Sequence, residues 1–216
     1  MSAPLFAALQ AADSAFPSGS FAYSWGLEAG LADGLVARKT FPAWLETELL
    51  DRWSLWDRPA VAAAFLAEDP AAEDHALDAL FWAEPLRRRS AEAGQAFLSG
   101  AARLGDPVAK ALRDAALAGE TPGHLPIAQG AVFSSFGLTL PLALAASAHA
   151  AAQSLASAAV RLSLIGALDA QKHLAALRPA LAEAAVPPDP RQKPAAFSPL
   201  AEIAQLRPPP DRLFIN

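Results

Sequence analysis

The side chains in this sequence that could carry out chemistry are few, and their spacing does not suit it. His75, His124, His149 and His173 could bind metal or move protons, but no two stand four apart and none forms a Glu-x-x-His unit. That spacing reads as surface or hydrogen-bonded core histidine. Ser18 and Ser20 flank Gly19, whereas a nucleophile elbow needs Gly-x-Ser-x-Gly and a partner base, neither of which is evident. Glu46 and Glu48 lie two apart on a predicted helix and so point to different faces. Glu68, Asp69, Glu73 and Asp74 gather about a helix start, where capping and solvation account for them. No glycine-rich loop followed by Gly-Lys-Ser or Gly-Lys-Thr is available to cradle phosphate. Arg87-Arg88-Arg89 cannot all share one helical face, so at least one guanidinium should meet Glu84 or Glu92, or a partner. These residues predict no catalytic, cofactor or metal site.

The elements that must position them read as helices. Ala and Leu dominate, β-branched residues are sparse and no stretch alternates with period two. The expectation is an all-α fold, a single domain of roughly eight to ten helices. The clearest helix spans Phe41 to Asp57. Phe41, Trp44, Leu45, Leu49, Trp53 and Trp56 form its apolar stripe, Glu46, Glu48, Asp51 and Arg52 lie opposite, and Thr40 is the expected N-cap. Asp69-Pro70 and Asp106-Pro107 each place a capping carboxylate before a first-turn proline, while Gly105 and Gly119 suit helix ends. Further helices are expected near Leu5–Asp13, Phe21–Ala32, Pro85–Leu104, Ile127–Phe136, Pro141–Leu164 and Asp169–Ala184. Gly94, in mid-helix, costs about 1 kcal/mol against Ala and marks a close crossing.

Composition bounds the function. The chain has 216 residues, 53% of them hydrophobic, and a formal charge of −5 with no basic run longer than three, which argues against nucleic acid as main partner. It has no cysteine, and its start lacks the charged flank of a signal peptide, so the expected location is cytoplasmic. Eight of the 19 prolines lie from Pro187 onward, dividing the chain into a helical body at 1–186 and an extended arm at 187–216. Between His124 and Arg161 there is no formally charged residue, yet Pro126, Gln129, Gly130, Pro141, His149 and Gln153 interrupt the run and alanine fills most of it. A central helix fits better than a membrane span, with small faces at Ala145, Ser147, Ala152, Ser154, Ala156 and Ala159 for neighbouring helices or a second copy.

The most informative string is Asp13-Ser-Ala-Phe-Pro-Ser-Gly-Ser-Phe-Ala-Tyr-Ser-Trp-Gly-Leu-Glu28. Pro17 and Gly19 predict a sharp turn at Phe16–Gly19, with Phe21, Trp25 and Glu28 following at helical spacing. This string resembles the Asp-Ser-x-Phe-Pro-x-Gly-Gly-Phe-x-x-Ser-x-Gly-Leu-Glu motif of the urease accessory protein UreF family. Three further blocks carry the likeness: Arg88-Arg-Ser-Ala-Glu-Ala-Gly94; His124-Leu-Pro-Ile-Ala-Gln-Gly130 with Gly137; and Ser157-Ala-Ala-Val-Arg161 leading to Gly166 and Gln171, with a closing Arg212-Leu213-Phe214. Ser20, Trp25, Ala167, Ala170 and Pro208-Pro-Pro210 depart from the pattern.

The resemblance implies a dimeric, non-enzymatic helper that bridges a UreD-like protein (also called UreH) and the GTPase UreG, so that nickel reaches apo-urease. On the matched motifs, the residues expected to serve partner binding are Phe16, Pro17, Gly19, Glu28, Arg88, Arg161, Gly166, Gln171, Arg212, Leu213 and Phe214. Arg161 should be paired, within the fold or across an interface. The apolar residues of the arm, Phe197, Leu200, Ile203, Leu206, Leu213 and Phe214, either fold back on the body or are buried by a partner. The competing reading is a helical small-molecule enzyme with a pocket formed by His124, Gln129 and Arg161. Such an enzyme needs a closed cavity with convergent polar groups, whereas a scaffold needs apolar surface.

Overall fold

The computed structural model describes residues 3–13, 15–17 and 24–195. Gly19, Phe21 and the closing Arg212, Leu213 and Phe214 lie outside them. The described residues form nine helices and no strand, as an all-α composition predicts. In chain order they are α1 (Ala3–Ala11), α2 (Leu27–Ala32), a long rod made of α3 (Phe41–Thr47), a π-helical segment (Glu48–Asp57) and α4 (Arg58–Leu66), then α5 (Pro70–Asp78), α6 (Glu84–Arg103), α7 (Pro107–Leu117), α8 (Leu125–Ser135), α9 (Leu140–Arg161) and α10 (Ala167–Ala184).

Local chemistry explains most of these limits. Asp69 and Asp106 cap α5 and α7, accepting from the Ala71 and Ala109 amides at 3.1 and 2.7 Å. Three expectations are corrected. Thr40 does not cap α3, because its hydroxyl oxygen accepts from the Ala37 amide behind it at 2.9 Å. Helix α2 begins at Leu27 and not near Phe21, since Trp25 and Gly26 both take left-handed backbone, with φ of 51° and 84°, where a helix cannot continue. The Phe41 rod continues past Asp57 into α4, its middle widened to π pitch. Pro59 offers no amide hydrogen to Leu55, and its ring crowds that carbonyl; a wider turn relieves the crowding.

Helix α9 is the spine. Ala143 and Ala146 near its start join an apolar cluster with Phe16, Phe97, Val132 and Phe133, while Ala152 to Ala159 join a second with Leu27, Phe41, Leu45, Leu49 and Leu174. Most of its small residues are buried, Ala150, Ala151 and Ser157 are half-buried, and the edge carrying Pro141, Ala145 and His149 faces solvent. Ala145 was expected within a contact face and lies on that open edge. No helix among the described residues is long and apolar enough to cross a membrane.

Two glycines make the closest approaches. A Cβ at Gly94 would run into the backbone of Gly123, His124 and Leu125, so the crossing read from the sequence is real, but with the chain entering α8. At Gly130 a Cβ would strike the Val61 carbonyl and reach the Phe65 amide at 2.9 Å, so α8 lies directly on the backbone of α4. Gly130→Ala should gain about 1 kcal/mol of helix propensity and lose more by forcing the helices apart. The expected net loss is about 2 kcal/mol, read as a lower urea midpoint.

Candidate functional site

Where the two clusters meet at the middle of α9, Trp53 donates its indole N–H to Ser147 Oγ at 3.1 Å, and Ser147 donates to Gln129 Oε1 at 2.8 Å. These side chains line a cavity of about 80 Å³. Four of the five tryptophans, Trp25, Trp53, Trp56 and Trp82, also line it, with Phe81 and Leu86. Trp82 stands at 65% exposure. The walls are mainly apolar, with five aromatic side chains, and Arg52, Asp57, Ser90, Gln129, Ser147 and Ser154 supply the polar groups.

One wall contains a buried charge cluster that the helical-wheel reading put on the solvent side. Arg52 donates to Glu48 Oε2 at 2.9 Å and to Asp57 Oδ2 at 2.7 Å, and lies 4.7 Å from the centre of the Trp25 ring. The π pitch turns Glu48 and Arg52 inward beside Leu49 and Trp53, which is why a 3.6-residue period misplaced them. Burial lowers the guanidinium's affinity for its proton, but Asp57 and Glu48 more than offset this and hold it above its ordinary value. Asp57 has only one cation to share with Glu48, so burial dominates and pushes its carboxyl up against the pull of Arg52.

A second polar cluster lies behind Phe81, whose ring is 4.8 Å from that of His124. Asp74 was expected to be solvated near its helix start; it is buried instead. It accepts from Thr121 Oγ1 at 2.6 Å, from the Gly123 amide and from the His124 amide at 2.9 Å, fastening the entry to α8. His124 is fully buried, with Nε2 3.0 Å from Asp78 Oδ1, while its Nδ1 has no hydrogen-bond partner among the described residues. Burial lowers the imidazole from its ordinary value. Asp78 is opposed by desolvation, yet hydrogen bonds from His124 and Arg87 hold it below the usual carboxylate range. Apart from His124 Nδ1, these groups are paired inside the protein.

The motif residues are dispersed. Phe16 is buried against Phe97, ring centres 5.1 Å apart, and with Pro17 it covers Gly100; the turn there begins at Asp13, whose carboxylate takes the Ala15 amide at 2.7 Å. Glu28 is buried in the first turn of α2. Arg87 pairs with Glu84 and Asp78, and Arg88 and Arg89 pair with Glu92, as three adjacent guanidiniums require. Arg161 closes α9, half-buried, and Gly166 and Gln171 are exposed where α10 begins, so these three share one end of the α9–α10 pair. Of the three residues proposed for an enzyme pocket, Gln129 lines the cavity and His124 and Arg161 do not. His124 is screened from it behind Phe81, and Arg161 belongs to the far end of α9.

Sequence reasoning missed Arg58, at the junction of the π segment with α4. Its guanidinium donates to the carbonyls of Ser54, Ala184 and Val186 at 3.0, 3.0 and 3.3 Å and to Gln192 Oε1 at 3.2 Å, and the Ala195 amide donates to Leu55 O at 2.9 Å. The described part of the arm therefore folds back on the rod. The dipeptide Arg58-Pro59 inside an apolar helical run was the available signal.

Comparison with known proteins identifies the class. The sequence model of the UreF family matches residues 35–178. The urease accessory protein UreF of Cereibacter sphaeroides is 35% identical over 186 residues, covering 86% of this chain and 83% of the relative. That of Paracoccus denitrificans is 39% identical over 177 residues, covering 79% and 75%, and that of Paenarthrobacter aurescens is 34% identical, covering 81% and 79%. An all-helical body with such relatives is a urease accessory protein. Within that class, the chain belongs to the UreF family.

Arg52→Met should strand two buried carboxylates and cost about 3–5 kcal/mol in chemical denaturation, whereas Arg38→Met, which breaks an exposed pair with Asp169, should cost less than about 1 kcal/mol. For His124 the unfolded chain binds a proton as pH falls below about 6.5 while the folded chain resists it. Stability should hold above that pH and decline below it, and His124→Gln should flatten the decline in melting temperature between about pH 6.5 and 5.

Proposed function

We propose that this chain works as a non-catalytic scaffold in urease maturation, joining a UreD- or UreH-like protein to a UreG-like GTPase so that nickel, as cargo, reaches apo-urease. The observation that carries the reading is the apolar surface of α1, where Leu5, Phe6 and Leu9 are all exposed on one short helix whose single polar residue is Gln10. Leu66, Leu104, Leu117 and Leu168 add further exposed apolar sites. Membership of the UreF family supplies the choice of partners. Burial of Glu48, Arg52, Asp74 and His124 in internal pairs supports a structural use of the ionisable groups.

In this reading the molecule is a cytoplasmic homodimer. Pro17, Arg88, Gly166 and Gln171 contact partners directly, as do Gly19, Arg212, Leu213 and Phe214 from outside the described residues. Phe16 and Glu28, being buried, act by shaping the surface above them, and Arg161 supports the α9–α10 end. Mixing the chain with its UreD-like and UreG-like counterparts should give one ternary complex on size-exclusion chromatography, and nucleotide turnover should change only when the UreG-like protein is present. Failure of the folded chain to join the other two, or GTP hydrolysis by the chain alone, would overturn the scaffold.

A further inference from the structure

We propose that the tryptophan-walled cavity is the seat of this chain's own C-terminal segment, residues 196–216, with the Phe197 side chain as its first occupant. The argument begins where the described chain ends. Ala195 is bonded through its amide to the carbonyl of Leu55, and the next residue on the rod, Trp56, is a wall of the cavity, as are Arg52 and Trp53 one turn earlier. Arg58 fixes the approach by holding Ala184, Val186 and Gln192. At about 3.3–3.6 Å per residue, the Cα of Phe197 lies within about 7 Å of that of Ala195, which is itself bonded to the residue preceding Trp56.

The chemistry matches on both sides. The segment is proline-rich and carries apolar side chains, beginning Ala196-Phe197-Ser198-Pro199-Leu200. Extended proline-rich chain is what aromatic-lined grooves receive well, because its backbone is ordered at low entropic cost and its side chains enter between flat rings. The cavity supplies four indoles, one of them Trp82, which is left largely exposed at the rim by the described residues. An apolar side chain would cover it. The seat is a property of the isolated chain and holds whether or not the same segment also serves a partner.

The chain has no cysteine, so an engineered pair reports proximity without background. In the full-length protein, Leu86→Cys with Ser198→Cys, which keeps Phe197, should form an intramolecular disulfide under mild oxidation. Leu117→Cys with Ser198→Cys, on exposed α7, should do so about tenfold more slowly, because the bond needs Cα atoms within about 7 Å. Independently, Phe197→Ser should shift the indole emission to the red and raise acrylamide quenching, with far-UV circular dichroism unchanged. Equal disulfide rates in the two pairs, or unmoved emission, overturns the proposal. Shielding of the tryptophans that appears only on adding a UreD-like protein overturns it too, by assigning the cavity to a partner segment.

Discussion

The close contact of α8 on α4 sets up much of what surrounds it. Because Gly130 has no side chain, α8 can rest on the carbonyl of Val61, and its neighbour Gln129 then reaches Ser147 at the middle of α9. Ser147 in turn takes the Trp53 indole proton, which fixes the π segment against the spine. Any larger residue at 130 would push α8 off the rod and strain the bond from Ser147 to Gln129, at about the cost of a lost buried hydrogen bond where it breaks. The line of small residues is thus the condition for the polar seam.

Around that seam the protein uses charge internally. An alanine-rich core has little apolar volume per residue, and it accommodates Glu48, Arg52, Asp74 and His124 only because each meets a partner within hydrogen-bonding distance. Such pairings add modestly to stability but sharply penalise misplacement, since a shifted helix would strand a charge. Trp25 fits the same economy. Its left-handed backbone costs about 1 kcal/mol or more, and the Arg52 guanidinium against its ring helps to hold it there.

Much of the fold was legible in the sequence because its signals are local. Asp69-Pro70 and Asp106-Pro107 mark helix starts by capping chemistry, Gly105 marks an end with φ of 95°, and Gly94 marks a crossing. What was not legible depends on pitch or on distant partners. The wheel of the Phe41 helix assumed 3.6 residues per turn, so it placed Glu48 and Arg52 outside. Asp74 looked like one of four carboxylates at a helix start, and nothing nearby in sequence announces that Thr121, Gly123 and His124 will close on it. The role of Arg58 was hidden for the same reason, since Arg58-Pro59 marks the residue but three of its acceptors lie more than a hundred residues away. Family membership was carried by the motif strings themselves, whose residues the fold scatters among core, edge and surface.

The grip of Arg58 has a mechanical meaning. Helix α10 buries only Ala170 and Leu174 along its length, so it is a peripheral element that could peel away under load. Because the guanidinium joins the end of α10 and the strap beyond it to the first turn of α4, tension on the tail bypasses that weak helix and enters the long rod, which is backed by α8 and the spine. The tail is thus hitched to one of the stiffest members of the body, and whatever tugs on it must strain the rod before it can strip the outermost helix.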